Sequence, residues 1–384
     1  MGVQPFYRDT WAEVNLDNIY YNVESLKNIL PNNVALFAVV KANAYGHGDI
    51  QVARTAIRAG ASYLAVALID EAIALRKKGL TEPVLVLGAS RPENAALAAE
   101  YDITLTVFQK EWIDKAVEFL KDSKPLKLHI KVDTGMGRIG VKTKQELREV
   151  ESAIRTNSCF YLEGVFTHFA TADQLDRTYY EQQLASFTKL VESFEQRPEM
   201  VHSSNSAAAL RYPESYFNGV RFGISMYGLS PSPEIETELP YPLKEAFSLR
   251  TKLVHVKELQ KGENVGYGAT YEAKAQEWIG TLPIGYADGW IRKLSRQAVL
   301  VNGKRASITG RICMDQMMIK LPSYVPVGTE VTLIGRQGNE LISVNEIADV
   351  LETVNYEVTC MMSNRIPRVY LQDGKIVEVV NGLL

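Results

Sequence analysis

Eight short apolar runs alternate with stretches of helical periodicity through the first 230 residues, and this alternation limits the folds open to the chain more than any other feature. The runs lack strict alternation of apolar and polar residues, which is typical of strands buried on both faces. Eight strand–helix units in about 240 residues predict a (β/α)8 barrel, with a doubly wound open sheet as the alternative. The runs cover residues 36–40, 62–66, 83–87, 103–107, 126–132, 162–168, 200–204 and 219–224.

A proline-rich stretch at residues 230–242 separates this pattern from a second one. Beyond it, short strand patterns are joined by turns and interrupted by one helical pattern. An Asn-Gly pair at 302–303 and an Asp-Gly pair at 373–374 are strong hairpin signals. We therefore predict two domains, a barrel over residues 1–240 and a β-rich domain, such as a small barrel or sandwich, over residues 241–384.

Composition excludes several classes of protein. The 384 residues include 42 Lys plus Arg and 45 Asp plus Glu, giving a net charge of −3, and 46% are hydrophobic. These values predict a globular protein with a sizeable core and argue against a nucleic-acid-binding protein. No secretion signal opens the sequence, no apolar run approaches the ~18 residues of a membrane span, and three cysteines cannot form a complete disulfide framework. We expect a cytoplasmic protein with reduced thiols and no metal site.

Lys41 follows the first apolar run, in the segment AVVKANAYGHG. An ammonium group at the mouth of an apolar strand is costly, and a desolvated amine is suited to Schiff-base chemistry. In a barrel, the carboxyl ends of the strands are where active sites form. The alternative is a lysine that snorkels to the surface or forms an ordinary salt bridge.

Polar and cationic side chains follow several other predicted strands. Lys131 and Arg138 follow the fifth strand, His168 the sixth and His202 the seventh, while Arg221 lies in the eighth. Because the carboxyl ends of the strands meet at one face of a barrel, this convergence favours a functional site there. The alternative is that strand ends are polar simply because loops begin at them.

Ser206, Gly223 and Ile224 fall where many barrels bind phosphate, after the seventh and eighth strands. A hydroxyl group and backbone N–H groups at a helix start suit an anion, although a serine there can also be a simple N-cap. Together with Lys41, they suggest pyridoxal phosphate (PLP) as cofactor. Residues 135–140, GMGRIG, match a dinucleotide-binding pattern, but no acidic residue follows at the required distance, so a dinucleotide-dependent oxidoreductase is the weaker hypothesis.

These segments together resemble alanine racemases of the fold-type III class of PLP-dependent enzymes. AVVKANAYGHG is similar to the PLP-lysine signature of that family, and KVDTGMGRIG, THFATAD, NSAA, VRFGISMYG, GYGATY, IGYADG and RICMDQM follow in the expected order. The resemblance covers essentially the whole chain. It implies a PLP-binding barrel with a β-rich domain, alanine as substrate, supply of D-alanine for cell-wall peptidoglycan, and a homodimer with shared active sites.

The resemblance also implies the roles of individual residues. Lys41 and Tyr267 of the partner subunit are the two catalytic bases, Lys41 acting on D-alanine and Tyr267 on L-alanine. Read alone, Tyr267 is a tyrosine in a surface turn between two glycines. Arg138 and the backbone N–H of Met314 of the partner subunit bind the substrate carboxylate. The implied PLP contacts are Lys41, Tyr45, Arg138, His168, Ser206, Arg221, Gly223, Ile224 and Tyr356. Lys131 is similar to the family's carbamylated lysine. The other supporting residues are His202, Asp315 and Tyr286, and Asp173, Arg292 and Arg311 lie in an access corridor.

Other functions stay open alongside this one. A broad-specificity amino-acid racemase and a PLP-dependent decarboxylase of the same architecture are the nearest, and a single-domain PLP-carrier protein would lack the β-rich domain. Decarboxylases of this build place an acidic residue at the pyridine nitrogen, so Arg221 argues against one. A guanidinium stays protonated and cannot give that nitrogen a full proton.

The two implied bases also suit racemisation. The amine of Lys41 and the phenol of Tyr267 have similar reference pKa values, about 10.4 and 10, as expected for a reaction that favours neither enantiomer.

Overall fold

The computed structural model describes residues 6–121 and 124–384. They form two compact units, a barrel unit of Asn18–Ala44 and Asp49–Lys244 and a strand unit that comprises the rest. The predicted barrel range of 1–240 therefore needs correction at its start, because strand β1 (Thr10–Asn15) pairs with strands of the strand unit. Residues 1–5, which belong to the segment from which we inferred no secretion signal, lie outside the described residues.

The barrel unit is built around eight parallel strands that close into a barrel. Most of their residues are buried, because helices cover the outer face while side chains fill the interior. Each strand corresponds to one of the eight apolar runs, which confirms the predicted (β/α)8 fold. The strands are β2 (Ala35–Val39), β3 (Tyr63–Val66), β4 (Val84–Ala89), β5 (Ile103–Val107), β6 (Leu126–Lys131), β7 (Phe160–Phe166), β8 (Met200–His202) and β9 (Gly219–Phe222).

Helices connect these strands and bury one apolar face each. The stripe of the first helix includes Ile19, Val23 and Leu26, all at 0% exposure. A later helix begins with a capping box, in which Thr143 Oγ1 accepts the Glu146 N–H and the Glu146 carboxylate accepts the Thr143 N–H. The helices are α1 (Leu16–Ile29), α3 (Asp49–Arg58), α4 (Ile69–Lys77), α5 (Ala95–Glu100), α6 (Lys110–Ala116), α7 (Lys144–Arg155), α8 (Thr178–Val191) and α9 (Ser206–Arg211). The short segment α2 (Lys41–Tyr45) is a left-handed turn and not a regular helix.

The strand unit confirms the predicted β-rich domain. Its further strands are β10 (Phe247–Lys252), β11 (His255–Leu259), β12 (Asn264–Val265), β13 (Tyr271–Glu272), β14 (Glu277–Leu282), β15 (Ala298–Val301), β16 (Lys304–Thr309), β17 (Met317–Leu321), β18 (Glu330–Gln337), β19 (Glu340–Ile342), β20 (Arg368–Gln372) and β21 (Lys375–Val380). Eleven strands form one sheet in the order β11-β14-β17-β16-β15-β18-β10-β1-β20-β21, with β19 paired to β18, and β12 and β13 form a separate ribbon.

Both predicted hairpin turns are confirmed in this unit. Asn302 and Gly303 have φ of 49° and 71° between β15 and β16, and Asp373 and Gly374 have φ of 51° and 68° between β20 and β21. Positive φ at both central residues is what a type I′ turn requires. Two helices complete the unit, α10 (Val344–Leu351) and α11 (Asn355–Cys360).

Short 3-10 segments link many of these elements. They are Pro92–Asn94, Val117–Phe119, Pro213–Ser215, Ile224–Tyr227, Pro233–Glu238, Tyr267–Ala269, Tyr286–Asp288 and Arg292–Arg296. In the part of the chain that the structure describes, no helix is long and apolar enough to cross a bilayer.

Candidate active site

Lys41 begins an unusual left-handed turn at the carboxyl end of β2. Ala42, Asn43 and Ala44 all have φ and ψ between 48° and 53°, and Tyr45 has φ of 53°. For residues with a side chain, this conformation costs about 1–2 kcal/mol each, so its repetition is costly. The Glu71 carboxylate secures the turn by accepting the Ala42 N–H at 2.6 Å. Strain of this kind is concentrated at functional sites, and here it fixes the backbone from which the Lys41 side chain extends.

Lys131 ends β6 and is 5% exposed, with its Nζ 4.3 Å from the centre of the Phe166 ring. Burial lowers the pKa of Lys131 well below its usual range, and the positive charges of Arg221 and Arg138 lower it further. Both effects favour the uncharged, nucleophilic form of the amine. The structure thus brings together three cationic residues that the sequence analysis had placed at strand ends.

The GMGRIG loop that carries Arg138 is not shaped to hold a dinucleotide. The Asp133 carboxylate accepts the N–H groups of Gly135 and Gly137, each at 3.0 Å, so these donors are already used within the loop. At Gly140, with φ of 135°, a Cβ would lie 2.4 Å from the Asp133 nitrogen. The glycines serve a tight turn that returns the chain beside β6, which removes the main support for an oxidoreductase.

Arg221, in β9, is held on two sides by protein acceptors. Its Nη1 donates to His202 Nδ1 at 2.7 Å, and its Nη2 donates to the carbonyl oxygens of Thr167 and Ser203 at 2.8 and 2.9 Å. Burial and then the charge of Arg138 lower the pKa of Arg221 to about 9, which leaves the guanidinium protonated at neutral pH. Among the described residues, no acceptor is found for its Nε–H.

Both histidines of this region are held in the neutral form. Burial lowers the pKa of His168 well below its usual range, followed by the charges of Arg221, Lys131, Arg138 and Lys41. Burial and the charge of Arg221 act in the same direction on the pKa of His202. These effects show that Lys41 and His168 share one positive field at the carboxyl end of the barrel.

Ser206 has a different local role from the simple N-cap that its position allows. Asn205 is the N-cap of α9, since its Oδ1 accepts the Ala208 N–H at 3.1 Å. Ser206 is 5% exposed, and its Oγ accepts the Gly223 N–H at 2.8 Å. The structure therefore brings Ser206 and Gly223 together, with Ile224 next in the chain at the start of a 3-10 segment.

Tyr45 and Tyr356 are neighbours in the strand unit, with ring centres 6.2 Å apart. Tyr45 is 8% exposed, and burial followed by the charge of Cys360 raises the pKa of its phenol. The loop after Tyr45 packs tightly on α11, because a Cβ at Gly46 would lie 2.1 Å from the Thr359 carbonyl oxygen. Tyr45 and Tyr356, the two tyrosines predicted to hold phosphate, are therefore neighbours in space although they are far apart in the sequence.

Tyr267, Tyr286 and Met314 expose their side chains on the strand unit, at 67%, 37% and 53%. The Tyr286 N–H donates to the Cys313 carbonyl oxygen at 3.0 Å, which sets the loop of Tyr286 beside that of Met314. Asp315 in the same loop pairs with Arg365 at 2.8 Å. Tyr267 lies between Gly266 and Gly268, both at positive φ.

Other predicted residues lie around this loop pair or in the barrel unit. The Arg292 guanidinium lies 5.5 Å from the centre of the Tyr286 ring, and its Nε donates to the Ile312 carbonyl oxygen at 3.3 Å. Arg311 lies beside Gly268, where a Cβ would be 3.3 Å from its Nη1. Asp173 belongs to the barrel unit, and burial raises the pKa of its carboxyl group.

Two further groups of residues were missed by the sequence analysis. The fully buried Asp288 receives a bidentate pair of hydrogen bonds from Arg8, at 2.6 and 2.5 Å, and fixes the loop that carries Tyr286. His129 and Glu163 form a buried pair inside the barrel. His129 and Glu163 could have been noticed in the sequence as polar residues within apolar strands. Nothing in the sequence links Arg8 with Asp288.

Comparison with known proteins agrees with this geometry. Residues 14–231 match the family model "Alanine racemase, N-terminal domain" and residues 246–370 match "Alanine racemase, C-terminal domain". The chain belongs to the alanine racemase family. Its activity is therefore that of this family of PLP-dependent isomerases, the interconversion of L-alanine and D-alanine.

Individual relatives cover nearly the whole chain. The alanine racemase of Geobacillus stearothermophilus is 58% identical over 98% of this chain and 97% of its own, and alanine racemase 1 of Bacillus subtilis is 54% identical over 100% and 98%. The crystal structure of alanine racemase from Bacillus anthracis, with bound L-Ala-P, is 51% identical, has a TM-score of 0.97 and covers 99% of both chains. The alanine racemase fold is thus reproduced over both units.

Proposed function

We propose that this chain racemises alanine with PLP bound at the carboxyl end of the barrel, using Lys41 and Tyr267 of the partner subunit as bases on opposite faces of the substrate α-carbon. The observation that carries the proposal is the cluster of basic residues Lys131, Arg138 and Arg221 in the barrel unit. The charges of Arg221 and Arg138 lower the pKa of Lys131, and the charge of Arg138 lowers the pKa of Arg221. Such a concentration of positive charge suits an anionic cofactor and an anionic substrate.

The residues fit PLP in several independent respects. Lys41 supplies an amine from a rigid turn, and Arg221 has an Nε–H without an acceptor among the described residues, suited to a pyridine nitrogen. Ser206, Gly223 and Ile224 in the barrel unit, and Tyr45 and Tyr356 in the strand unit, would hold the phosphate, and His168 would lie against the cofactor ring. When bound, PLP supplies a conjugated carbonyl group that acidifies the α-C–H bond of the substrate.

Each protein group then has a defined task toward the substrate. The Lys41 amine and the Tyr267 phenol of the partner subunit take and return the α-proton, and both need a lowered pKa to do so near neutrality. Arg138 and the Met314 N–H of the partner subunit bind the carboxylate. The lowered pKa of Lys131 favours the uncharged amine that carbamylation by carbon dioxide requires. The new N–C bond would form with release of a proton, and the resulting carbamate anion would orient Arg138.

Arg221 limits the reaction to racemisation. A guanidinium that stays protonated, even with its pKa lowered to about 9, donates a hydrogen bond to a ring nitrogen without transferring a proton. The electron-withdrawing power of the cofactor is therefore kept modest, which disfavours long-lived carbanions and side reactions such as transamination. Exposed Tyr286, with Asp315 beside Met314, would line the access route, and His202 would hold Arg221 in place.

A homodimer with two shared sites follows from the assignment of Tyr267, whose 67% exposure leaves it available to a second subunit. Mixing inactive Lys41→Ala and inactive Tyr267→Phe subunits tests this directly. In the mixed dimer, one site combines two intact residues and the other combines two altered ones, so activity should return. No recovery under conditions where subunits demonstrably exchange would rule out shared sites.

The activity itself is tested by incubating the PLP-saturated protein with L-alanine and following the loss of optical rotation. We expect rotation to decay to zero from either enantiomer, with Lys41→Ala as the inactive control. Parallel assays with serine, lysine and arginine distinguish a broad-specificity racemase, and release of carbon dioxide would reveal a decarboxylase. No decay with alanine would refute the proposal. We place the reaction in the cytoplasm, where D-alanine would feed peptidoglycan precursors.

A further inference from the structure

A continuous series of buried hydrogen bonds, the relay, runs from Arg221 into the barrel. Arg221 Nη1 lies 2.7 Å from His202 Nδ1, His202 Nε2 lies 3.0 Å from His129 Nδ1, and His129 Nε2 lies 3.0 Å from Glu163 Oε2. Thr104 Oγ1 donates to the same carboxylate oxygen at 3.1 Å. These side chains come from β9, β8, β6, β7 and β5, and none of the residues is more than 8% exposed. The relay therefore connects the candidate site with a carboxylate deep in the barrel.

The two ends of the relay fix the direction of every hydrogen bond within it. A guanidinium can only donate, so His202 Nδ1 must be an acceptor and its proton must be on Nε2. That proton is donated to His129 Nδ1, so the proton of His129 is on its own Nε2 and is donated to Glu163. A protonated Glu163 would reverse the last bond and set N–H against N–H elsewhere in the relay. Only one arrangement satisfies all partners. Arg221 and Glu163 at the two ends are charged, and His202 and His129 between them are neutral imidazoles with the proton on Nε2.

The charges around the relay support this arrangement. Burial lowers the pKa of His202, and the charge of Arg221 lowers it further, so the imidazole is neutral. Burial acts to raise the pKa of Glu163, but hydrogen bonds from His129 and Thr104 and the charge of Lys127 lower it overall, so the carboxylate is ionised.

The packing is also built to hold the two imidazole rings. His202 is sandwiched between Phe37 and Phe166, with ring centres 4.7 and 4.8 Å away and planes inclined by 16° and 4°. Gly164 leaves the space that the His129 ring occupies, because a Cβ there would lie 2.6–2.9 Å from three atoms of that ring. The backbone next to Glu163 is thus adapted to the relay.

We propose that Glu163 is a positioning residue, whose carboxylate holds His129 and His202 in the Nε2–H tautomer and so keeps an acceptor against the Arg221 guanidinium. Only the last step, the action of Arg221 on the cofactor, rests on the proposed function. Without the carboxylate, His129 loses the acceptor that sets its tautomer, and His202 can turn an N–H toward Arg221. The guanidinium would then keep its carbonyl partners but lose the contact that fixes its angle.

Histidine tautomers can be read from ¹⁵N chemical shifts, and the chain has only five histidines. The experiment uses ¹⁵N-histidine-labelled, PLP-saturated protein in three forms besides wild type: Glu163→Leu, which removes the acceptor; Glu163→Gln, whose amide oxygen keeps it; and Glu149→Leu, on the exposed face of α7, as control. We expect both relay histidines to be Nε2–H in wild type, Glu163→Gln and Glu149→Leu, and at least one to change in Glu163→Leu.

Kinetics then separate positioning from a purely structural role. Since a small misplacement of a catalytic group can cost about 10²-fold, we expect kcat of Glu163→Leu to fall by that order while KM for alanine changes little. Glu163→Gln should recover most of the loss. Should Glu163→Leu fail to fold, Gly164→Ala offers a second test, because its added Cβ pushes the His129 ring and should give the same change of tautomer and kcat.

The outcomes for this proposal and for the proposed function are distinct. Nε2–H tautomers that persist in folded Glu163→Leu would overturn the relay, whatever the activity. A changed tautomer with unchanged kcat would overturn the positioning role. Wild-type protein that shows the expected tautomers but does not racemise alanine would leave the hydrogen-bond relay in place and refute the proposed function instead.

Discussion

Replacing Ala42 with glycine should stabilise this protein, although the same change in a helix normally destabilises. Ala42 is exposed and left-handed, with φ of 53° and ψ of 50°. A left-handed conformation costs about 1–2 kcal/mol for a residue with a Cβ, and glycine avoids that cost. Glycine also has more unfolded-state entropy, which costs about 0.5–1 kcal/mol. The difference is an expected gain of about 0–1.5 kcal/mol in the free energy of unfolding.

Ala74 provides the matched control, since it is also exposed and lies within the right-handed helix α4. Ala74→Gly should lower the free energy of unfolding by about 1 kcal/mol. Urea unfolding followed by circular dichroism should therefore move the two midpoints in opposite directions at an unchanged m-value. In a thermal scan, each kcal/mol should correspond to about 1–2 °C for a chain of this length.

The same variant should lose activity while it gains stability. Glycine keeps the Ala42 N–H for Glu71 but widens the conformations open to the turn, so Lys41 is held less firmly. We expect kcat for alanine to fall severalfold, with no such fall for Ala74→Gly. If Ala42→Gly destabilises the protein as much as Ala74→Gly, the left-handed turn is not a strained feature and the reasoning fails.

Three further perturbations probe other parts of the structure. His168 and His202 have lowered pKa values and stay neutral when folded, whereas the unfolded chain protonates them below pH ~6.5. Acid should therefore reduce the free energy of unfolding by up to ~1.4 kcal/mol per pH unit for each histidine, as urea titrations from pH 7 to pH 5 would show. Asp288→Ala removes the buried partner of Arg8 and should cost about 3 kcal/mol, measured by the same titration. Gly46→Ala, with a carbonyl oxygen of α11 2.1 Å from the new Cβ, should weaken PLP binding in a fluorescence titration.

The barrel was predictable because each of its strands is short, apolar and followed by helical periodicity, as at residues 103–107, where the predicted and observed strand coincide. The position of strand β1 in the strand unit was not predictable, because its pairing with β10 and β20 joins residues more than 200 positions apart. Local pattern carries no information about such partners. The same limit explains why the loop of residues 45–48 belongs to the strand unit although it follows a barrel strand.

The candidate site divides in the same way. Lys131, Arg138, His168 and Arg221 were predictable because strand ends converge in a barrel, so position along the chain was enough. The part of the relay beyond His202, His129 and Glu163, was not predictable. A histidine or glutamate within a strand first appears in the sequence as an interruption of the apolar pattern of that strand. The pairing of Arg8 with Asp288 depends wholly on tertiary contacts.

The left-handed turn after Lys41 lies between these cases. Its sequence, Ala-Asn-Ala-Tyr, contains one residue that tolerates positive φ and no glycine, so propensity predicts an ordinary helical start. Tertiary contacts, including the hydrogen bond of Glu71 to the Ala42 N–H, override that preference. This local conflict was a sign of function that only the structure reveals.

The central claim is that Lys41 and Tyr267 of the partner subunit act on opposite faces of the α-carbon, and isotope exchange tests it most directly. Tyr267→Phe is incubated in heavy water with each enantiomer of alanine, and α-deuterium is measured by mass after chiral chromatography. Lys41 should still exchange the α-proton of D-alanine, while exchange from L-alanine collapses and net racemisation falls equally in both directions. Equal residual exchange from the two enantiomers would contradict the two-base account.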